Sequence, residues 1–257
     1  MNHALILMYH IVDEPRATQE ARFCVTPSEF DRQLGCLREL GYVPVSLDRI
    51  VDFLVDRSPV PPNAIAVTFD DGFADTCERA IPILQAHDVP ATMFAVSGRL
   101  ARDNDWMHER GAPRRTLMSL SQMRDLEAAG VTVGSHTVTH PRLTEVPAEQ
   151  VAQELRQSKQ QLEDLLGHPV RYFAYPYGLY NAEIRDAVQA SGYRAACSTR
   201  AGFNREGEDV FALRRIDVFG SDALWQFKQK LRFGTNEASR SYPLRYYAGR
   251  VAARLGL

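Results

Sequence analysis

Two short stretches carry residue types suited to hydrolytic chemistry. Asp70-Asp71-Gly72 sets two carboxylates side by side, and His136-Thr137-Val138-Thr139-His140 sets two imidazoles four residues apart. Adjacent carboxylates repel each other, so the pair is costly unless a positive group sits beside it. One of them can then hold a metal while the other moves protons. Two histidines at i and i+4 can share one face of a helical turn. Two His with one Asp form the donor set of a zinc ion that keeps a position open for chemistry. The bland readings are an Asp-Gly turn with a helix cap and a pair of surface histidines. A third stretch, Tyr175-Pro176-Tyr177-Gly178, is an aromatic, proline-stiffened turn. It can supply a pocket wall and a backbone N–H, or be a turn and nothing more.

Each stretch follows an apolar run that reads as a strand. Strands are expected at 4–10, 42–47, 64–69, 91–96, 131–134, 170–175 and 193–198, with a further apolar stretch at 210–218. Helical patterns fall between them at 27–40, 48–56, 75–86, 121–129, 148–166, 181–190 and 221–231. Thr26 is a plausible N-cap for the first helix and Gly41 stops it. The runs at 64–69 and 91–96 are apolar on both faces, as parallel strands buried on both sides should be. Repeated β–α units imply an α/β fold, a parallel sheet with helices outside, doubly wound or closed into a barrel. In such folds ligands sit at the carboxyl ends of the strands, where all three stretches lie. The long polar loop at 99–118 carries Trp106 and is expected to shape the cleft.

The chain has 257 residues, 45% apolar and 24% charged, with a net charge of -2, which gives no reason to expect nucleic acid. Four scattered cysteines without a CxxC pair fit a reducing compartment. The run Ala4–Val12 is too short to span a bilayer and lacks the basic start and cleavage site of a signal peptide. A cytoplasmic protein is therefore expected. From Lys228 onward seven basic residues face Glu237 alone, and Leu244, Tyr247, Val251 and Leu255 recur at near-helical spacing. The expected organisation is a domain over 1–235 and a basic amphipathic tail over 236–257. Such a tail either lies peripherally on an anionic membrane surface or docks on the body of the protein.

Together the motifs resemble the polysaccharide deacetylase family, carbohydrate esterase family 4. Thr68-Phe69-Asp70-Asp71-Gly72 is similar to its TFDDG motif, His136 to His140 to its H-[ST]-x-x-H motif, and Tyr175 to Gly178 to its R-x-P-Y-G motif. The resemblance implies a distorted (β/α)7-type barrel acting on an N-acetylated glycan, in an exopolysaccharide or a lipid-linked form. It implies that Asp71, His136 and His140 hold a divalent metal, usually Zn2+, with Co2+ or Ni2+ as substitutes. Asp70 would be the general base, and the ion would polarise the acetyl carbonyl and lower the pKa of water. The Tyr177 N–H would help hold the oxyanion, while Tyr175, Pro176 and Trp106 would contact substrate. The products would be acetate and a free amine.

The sequence departs from the family pattern twice. Where the third motif has an Arg that orients the base, this chain has Ala174, leaving Arg171, Arg214 and Arg215 as candidates for that role. The family also has a general-acid His on a late strand, yet no histidine follows His168. One branch, which resembles the poly-N-acetylglucosamine deacetylases, has a permuted barrel in which an N-terminal strand bearing Tyr-His supplies the acid. Tyr9-His10 fits that pattern. An amine leaves poorly unless protonated, and His titrates near neutrality. The function this implies is metal-dependent carbohydrate N-deacetylation. An O-acetyl esterase or a non-catalytic glycan-binding barrel are the alternatives. A phosphoesterase is disfavoured by the lack of a phosphate-cradling Gly-rich loop.

Overall fold

A computed structural model describes residues 3–255, with the side chains of all but 109, 110 and 249–255. In chain order its elements are β1 (Ala4–Tyr9), β2 (Ile11–Val12), β3 (Cys24–Val25), α1 (Pro27–Glu39), β4 (Val43–Pro44), α2 (Leu47–Asp56), β5 (Ala64–Phe69), α3 (Ala74–His87) and β6 (Ala91–Ala95). There follow α4 (Leu120–Ala128), β7 (Val131–Ser135), α5 (Ala148–Leu166), β8 (Tyr172–Ala174), α6 (Ala182–Ala190), β9 (Ala195–Cys197), β10 (Ile216–Asp217), α7 (Leu224–Phe233) and α8 (Tyr242–Leu255). Thr26 caps α1 by accepting from the Glu29 N–H at 3.2 Å, and Pro27 takes the first turn, where a missing donor costs nothing.

The main sheet runs β10-β1-β5-β6-β7-β8-β9, and its strand pairs are parallel; β4 pairs with the start of β5. Leu213, three residues before β10, bridges in parallel to Cys197 of β9, so one chain segment touches both edges of the curled sheet. This is the expected α/β barrel architecture, and the N-terminal strand occupies an interior position between β10 and β5.

Side-chain alternation along the strands divides the apolar residues between two cores. Leu5, Leu7, Tyr9, Ile65, Val67 and Phe69 pack beneath the outer helices. Ala4, Ile6, Ala64 and Ala66 pack inside the curl, with Phe94, Tyr172 and Cys197, and α2 residues such as Ile50 and Phe53 join that cluster. Continuing the inner set by twos leads to Met8 within β1 and His10 just past it, and to Thr68 within β5 and Asp70 just past it. The polar residues at the strand ends are therefore the inner face of the barrel carried past its apolar part.

The tail packs against α7. The Phe233 ring meets the rings of Tyr242, Tyr246 and Tyr247 at centroid distances of 5.5, 4.8 and 6.1 Å. Val251 and Leu255, expected on its apolar face, and Arg250 and Arg254 lie outside the described side chains. No helix among the described residues is long and apolar enough to cross a membrane. All four cysteines are buried and unpaired.

Candidate metal and catalytic site

The two adjacent carboxylates part company immediately after β5. Asp71 and Gly72 both adopt left-handed backbone, with φ of 72° and 80°. A Cβ on Gly72 would lie 2.8 Å from the Met118 Cε, so only glycine fits this turn without strain. Asp70 turns inward to Arg215. The guanidinium is fully buried and donates through both terminal nitrogens to the two Asp70 oxygens, each at 2.7 Å. It also donates to the Ser198 carbonyl at 2.9 Å and to Thr68 Oγ1 at 3.2 Å. Burial alone would raise the Asp70 carboxyl, but the charge of Arg215 outweighs it and holds the group below its ordinary range. Arg215 is thus the positive group that the Asp70-Asp71 pair requires. The other two candidates are elsewhere: Arg171 pairs with Asp48 at 2.8 Å and Arg214 with Glu208 at 3.7 Å, both near the surface.

Asp71 meets the two histidines, but not on a helical turn. The loop at 136–140 is irregular, with Thr137 and His140 at φ of 69° and 61°. The expected i, i+4 helical geometry is replaced by a loop that Glu154 of α5 clamps. Its carboxylate accepts from the N–H groups of Val138 (2.7 Å) and Thr139 (3.0 Å) and from the Thr139 hydroxyl. Left-handed residues other than glycine cost energy and persist where surrounding bonds over-determine them. We expect Glu154→Ala to release this loop and weaken any affinity of His136 and His140 for an added divalent ion by about 10–100-fold. Competition with a chromogenic chelator measures it, and unchanged affinity would show that the loop needs no clamp.

His136 Nδ1 lies 2.7 Å from the Ala174 carbonyl oxygen, which can only accept, so Nδ1 carries the hydrogen and Nε2 presents a lone pair. That Nε2 is 3.5 Å from Asp71 Oδ1, and His140 Nε2 is 3.3 Å from the same oxygen. Burial lowers His136 to about 4, and Asp71 is held well below the usual carboxylate range: burial opposes this, but the His140 hydrogen bond and nearby histidine charges prevail. The His136 Nε2 lone pair faces the Asp71 carboxylate, and the two repel unless a cation lies between them. The spacing suits one, since a tetrahedral ion with bonds of about 2.0–2.1 Å sets its ligands about 3.3 Å apart. The three donor atoms are buried and lie within 4.8 Å of one another.

The cluster lines a cavity of about 290 Å³ together with Asp70, His10 and Trp106. The Trp106 ring stacks on His140 at 4.6 Å, and the ring of Tyr177, whose φ is 58°, meets His140 at 4.7 Å. Two expected substrate contacts are not in the lining. Tyr175 is fully buried in the outer core, with its hydroxyl donating to the Phe211 carbonyl at 2.9 Å, and Pro176 is buried within the turn. Both serve to brace the turn that carries Tyr177.

Among the cleft residues that went unread in the sequence are Arg22, Phe23, Phe219 and Asp217. Phe23 stands 5.1 Å from the His10 ring, and the Arg22 guanidinium lies 4.0 Å over the Phe219 ring. Asp217 is the register partner of Met8 on the parallel β1–β10 pair, so it shares the inner face with Met8 and His10. Burial raises its carboxyl, and a positive charge on His10 would draw it back down. The one available signal was an acid next to the end of the apolar run at 210–218. The loops bearing Arg22 and Trp106 are joined by Arg115, fully buried, which pairs with Glu20 at 2.7 Å, with Asp13 at 2.9 Å and with Asp75.

Residues 57–196 match the family model described as polysaccharide deacetylase. The chain is 32% identical over 141 residues to the poly-beta-1,6-N-acetyl-D-glucosamine N-deacetylase of Escherichia coli, a match that takes in 53% of this chain and 21% of that protein. It is 31% identical over 134 residues to a chitooligosaccharide deacetylase of Azorhizobium caulinodans, over 51% of this chain and 56% of the other. The chain thus spans only about a fifth to a half of these relatives. The structure is similar to IcaB from Ammonifex degensii, with 25% identity, a TM-score of 0.77 and 91% and 97% of the two chains covered.

Proposed function

The chain belongs to the polysaccharide deacetylase family, and from that premise we propose that it hydrolyses N-acetyl groups on amino-sugar residues of a glycan. The observation that carries this reading is the juxtaposition, in one cleft, of a buried Asp70–Arg215 pair and the Asp71–His136–His140 triangle. A divalent ion held by that triangle, zinc before cobalt or nickel, supplies Lewis-acid polarisation and a lowered water pKa when bound.

The remaining work falls to side chains. Asp70, ionised and fixed by two parallel bonds from Arg215, accepts the proton of the attacking water. His10, delivered to the cleft by β1, donates a proton to the departing nitrogen, and Asp217 on the neighbouring strand faces it. The Tyr177 N–H is assigned to the oxyanion. Trp106, Phe23 and Phe219 offer apolar walls on which a sugar ring can lie. Neither the docked tail nor the relatives favour lipid contact, which forms no part of the proposal.

Purified protein supplied with zinc or cobalt is expected to release acetate from N-acetylglucosamine oligomers. Metal binding without release from any N-acetylated oligomer would overturn the reading. Release from O-acetylated sugars alone would assign an esterase instead.

A further inference from the structure

We propose that Asn236, which follows α7, is a positioning residue for the proton donor: it holds one oxygen of Asp217 so that the other is presented to His10. The inference rests on the reading of His10 as the acid.

The pairing is double. The Asn236 Nδ2 donates to Asp217 Oδ2 at 2.9 Å, and the Asp217 backbone N–H donates to Asn236 Oδ1 at 2.9 Å. One side-chain amide thus reads both the backbone and the carboxylate of a single residue, which fixes the rotation of that carboxylate. Lys230 secures the strand from the other side, donating to the Asp217 carbonyl at 3.0 Å and pairing with Asp222. The second oxygen, Oδ1, is buried and has no hydrogen-bond partner among the described residues. A buried acceptor left unmade is costly, so an N–H donor is expected to approach it.

His10 is the candidate in reach. Met8 and Asp217 are register partners, His10 stands two residues beyond Met8, and all three line the same cleft. The other charged groups acting on Asp217 are Arg215, Lys230 and Asp70. The Arg215 donors are committed to Asp70, Thr68 and Ser198, and the Lys230 ammonium to Asp222 and to the Asp217 carbonyl. An imidazole bonded to a fixed carboxylate has one tautomer and one ring orientation, which a proton donor needs. The residue that arranges this is the first of the segment the sequence sets apart as a tail. A chain cut at 235 would lose it.

Two substrates separate positioning of the acid from general support of the fold. The amide of an N-acetylglucosamine oligomer needs its leaving nitrogen protonated, whereas the phenolate of an aryl acetate departs unaided. Asn236→Ala is expected to lower kcat on the amide by about 10-fold, with its KM and the aryl acetate rate near wild type. Asn236→Leu, which keeps the size but loses the donor without adding a charge, should do the same if the alanine variant folds poorly. In a His10→Ala background, Asn236→Ala should cost nothing more. Equal losses on both substrates, no loss on the amide, or a further loss in the His10→Ala background would each overturn the proposal. If His10→Ala itself leaves the amide rate intact, the reading of His10 has failed and the proposal falls with it. A slow His10→Ala beside an unimpaired Asn236→Ala refutes the positioning role alone.

Discussion

Replacing His10 with alanine is expected to slow acetate release from an N-acetylated oligomer by about 10²–10⁴-fold while the uptake of added zinc stays at the wild-type level. The rate effect follows from the leaving group. An amine expelled without a proton is a poor leaving group, and His10 is an imidazole in the cleft that stands outside the Asp71 cluster. The unchanged metal content follows from position, because His10 is not among the three residues whose donor atoms converge. Its backbone is pinned independently, since the carbonyl accepts from Thr76 Oγ1 at 3.0 Å, so losing the imidazole should leave the strand end in place. Acetate assays beside elemental analysis of the purified variant decide the matter. A near-wild-type rate would remove His10 from the chemistry, and loss of zinc would move it into the ligand set.

The sequence made the candidate residues of the cleft more legible than the way they meet. Helix α5 forms over the residues expected, 148–166, because its apolar periodicity is long and uninterrupted and Gly167 closes it in left-handed backbone. Strand 42–47 shrinks to Val43–Pro44, since it can pair only with the first residues of β5 before β6 takes over that edge. The HTVTH spacing suggested a helical turn, but the clamp that imposes another shape is Glu154, on a helix whose face cannot be read without knowing what it packs against. Three arginines, Arg171, Arg214 and Arg215, stood as candidates to pair with Asp70, and the sequence did not choose among them. Choosing among them requires the register between β10 and β1, which lie some two hundred residues apart and meet only when the sheet curls. Asp217 and Asn236 were hidden for the same reason, as neither belongs to a local motif.

Arg215→Met is the second large effect, and it should appear in stability as well as rate. Arg215 is fully buried and Asp70 is 3% exposed, so removing the guanidinium strands a carboxylate in the barrel. Breaking a buried pair by deleting one partner costs about 3–5 kcal/mol, because the remaining charge is left largely desolvated without its counter-ion. Urea unfolding of the metal-free protein would read this as a lower midpoint with an unchanged slope. Arg215→Lys should fall between the two, since an ammonium keeps the charge but cannot span both Asp70 oxygens and still reach the Ser198 carbonyl. The informative variant is the double one. Asp70→Asn with Arg215→Met removes both buried charges and is expected to regain most of the lost stability. It should regain none of the turnover, because the base is gone. If turnover returned along with stability, Asp70 would be a structural ion and the base would have to be sought elsewhere in the cleft.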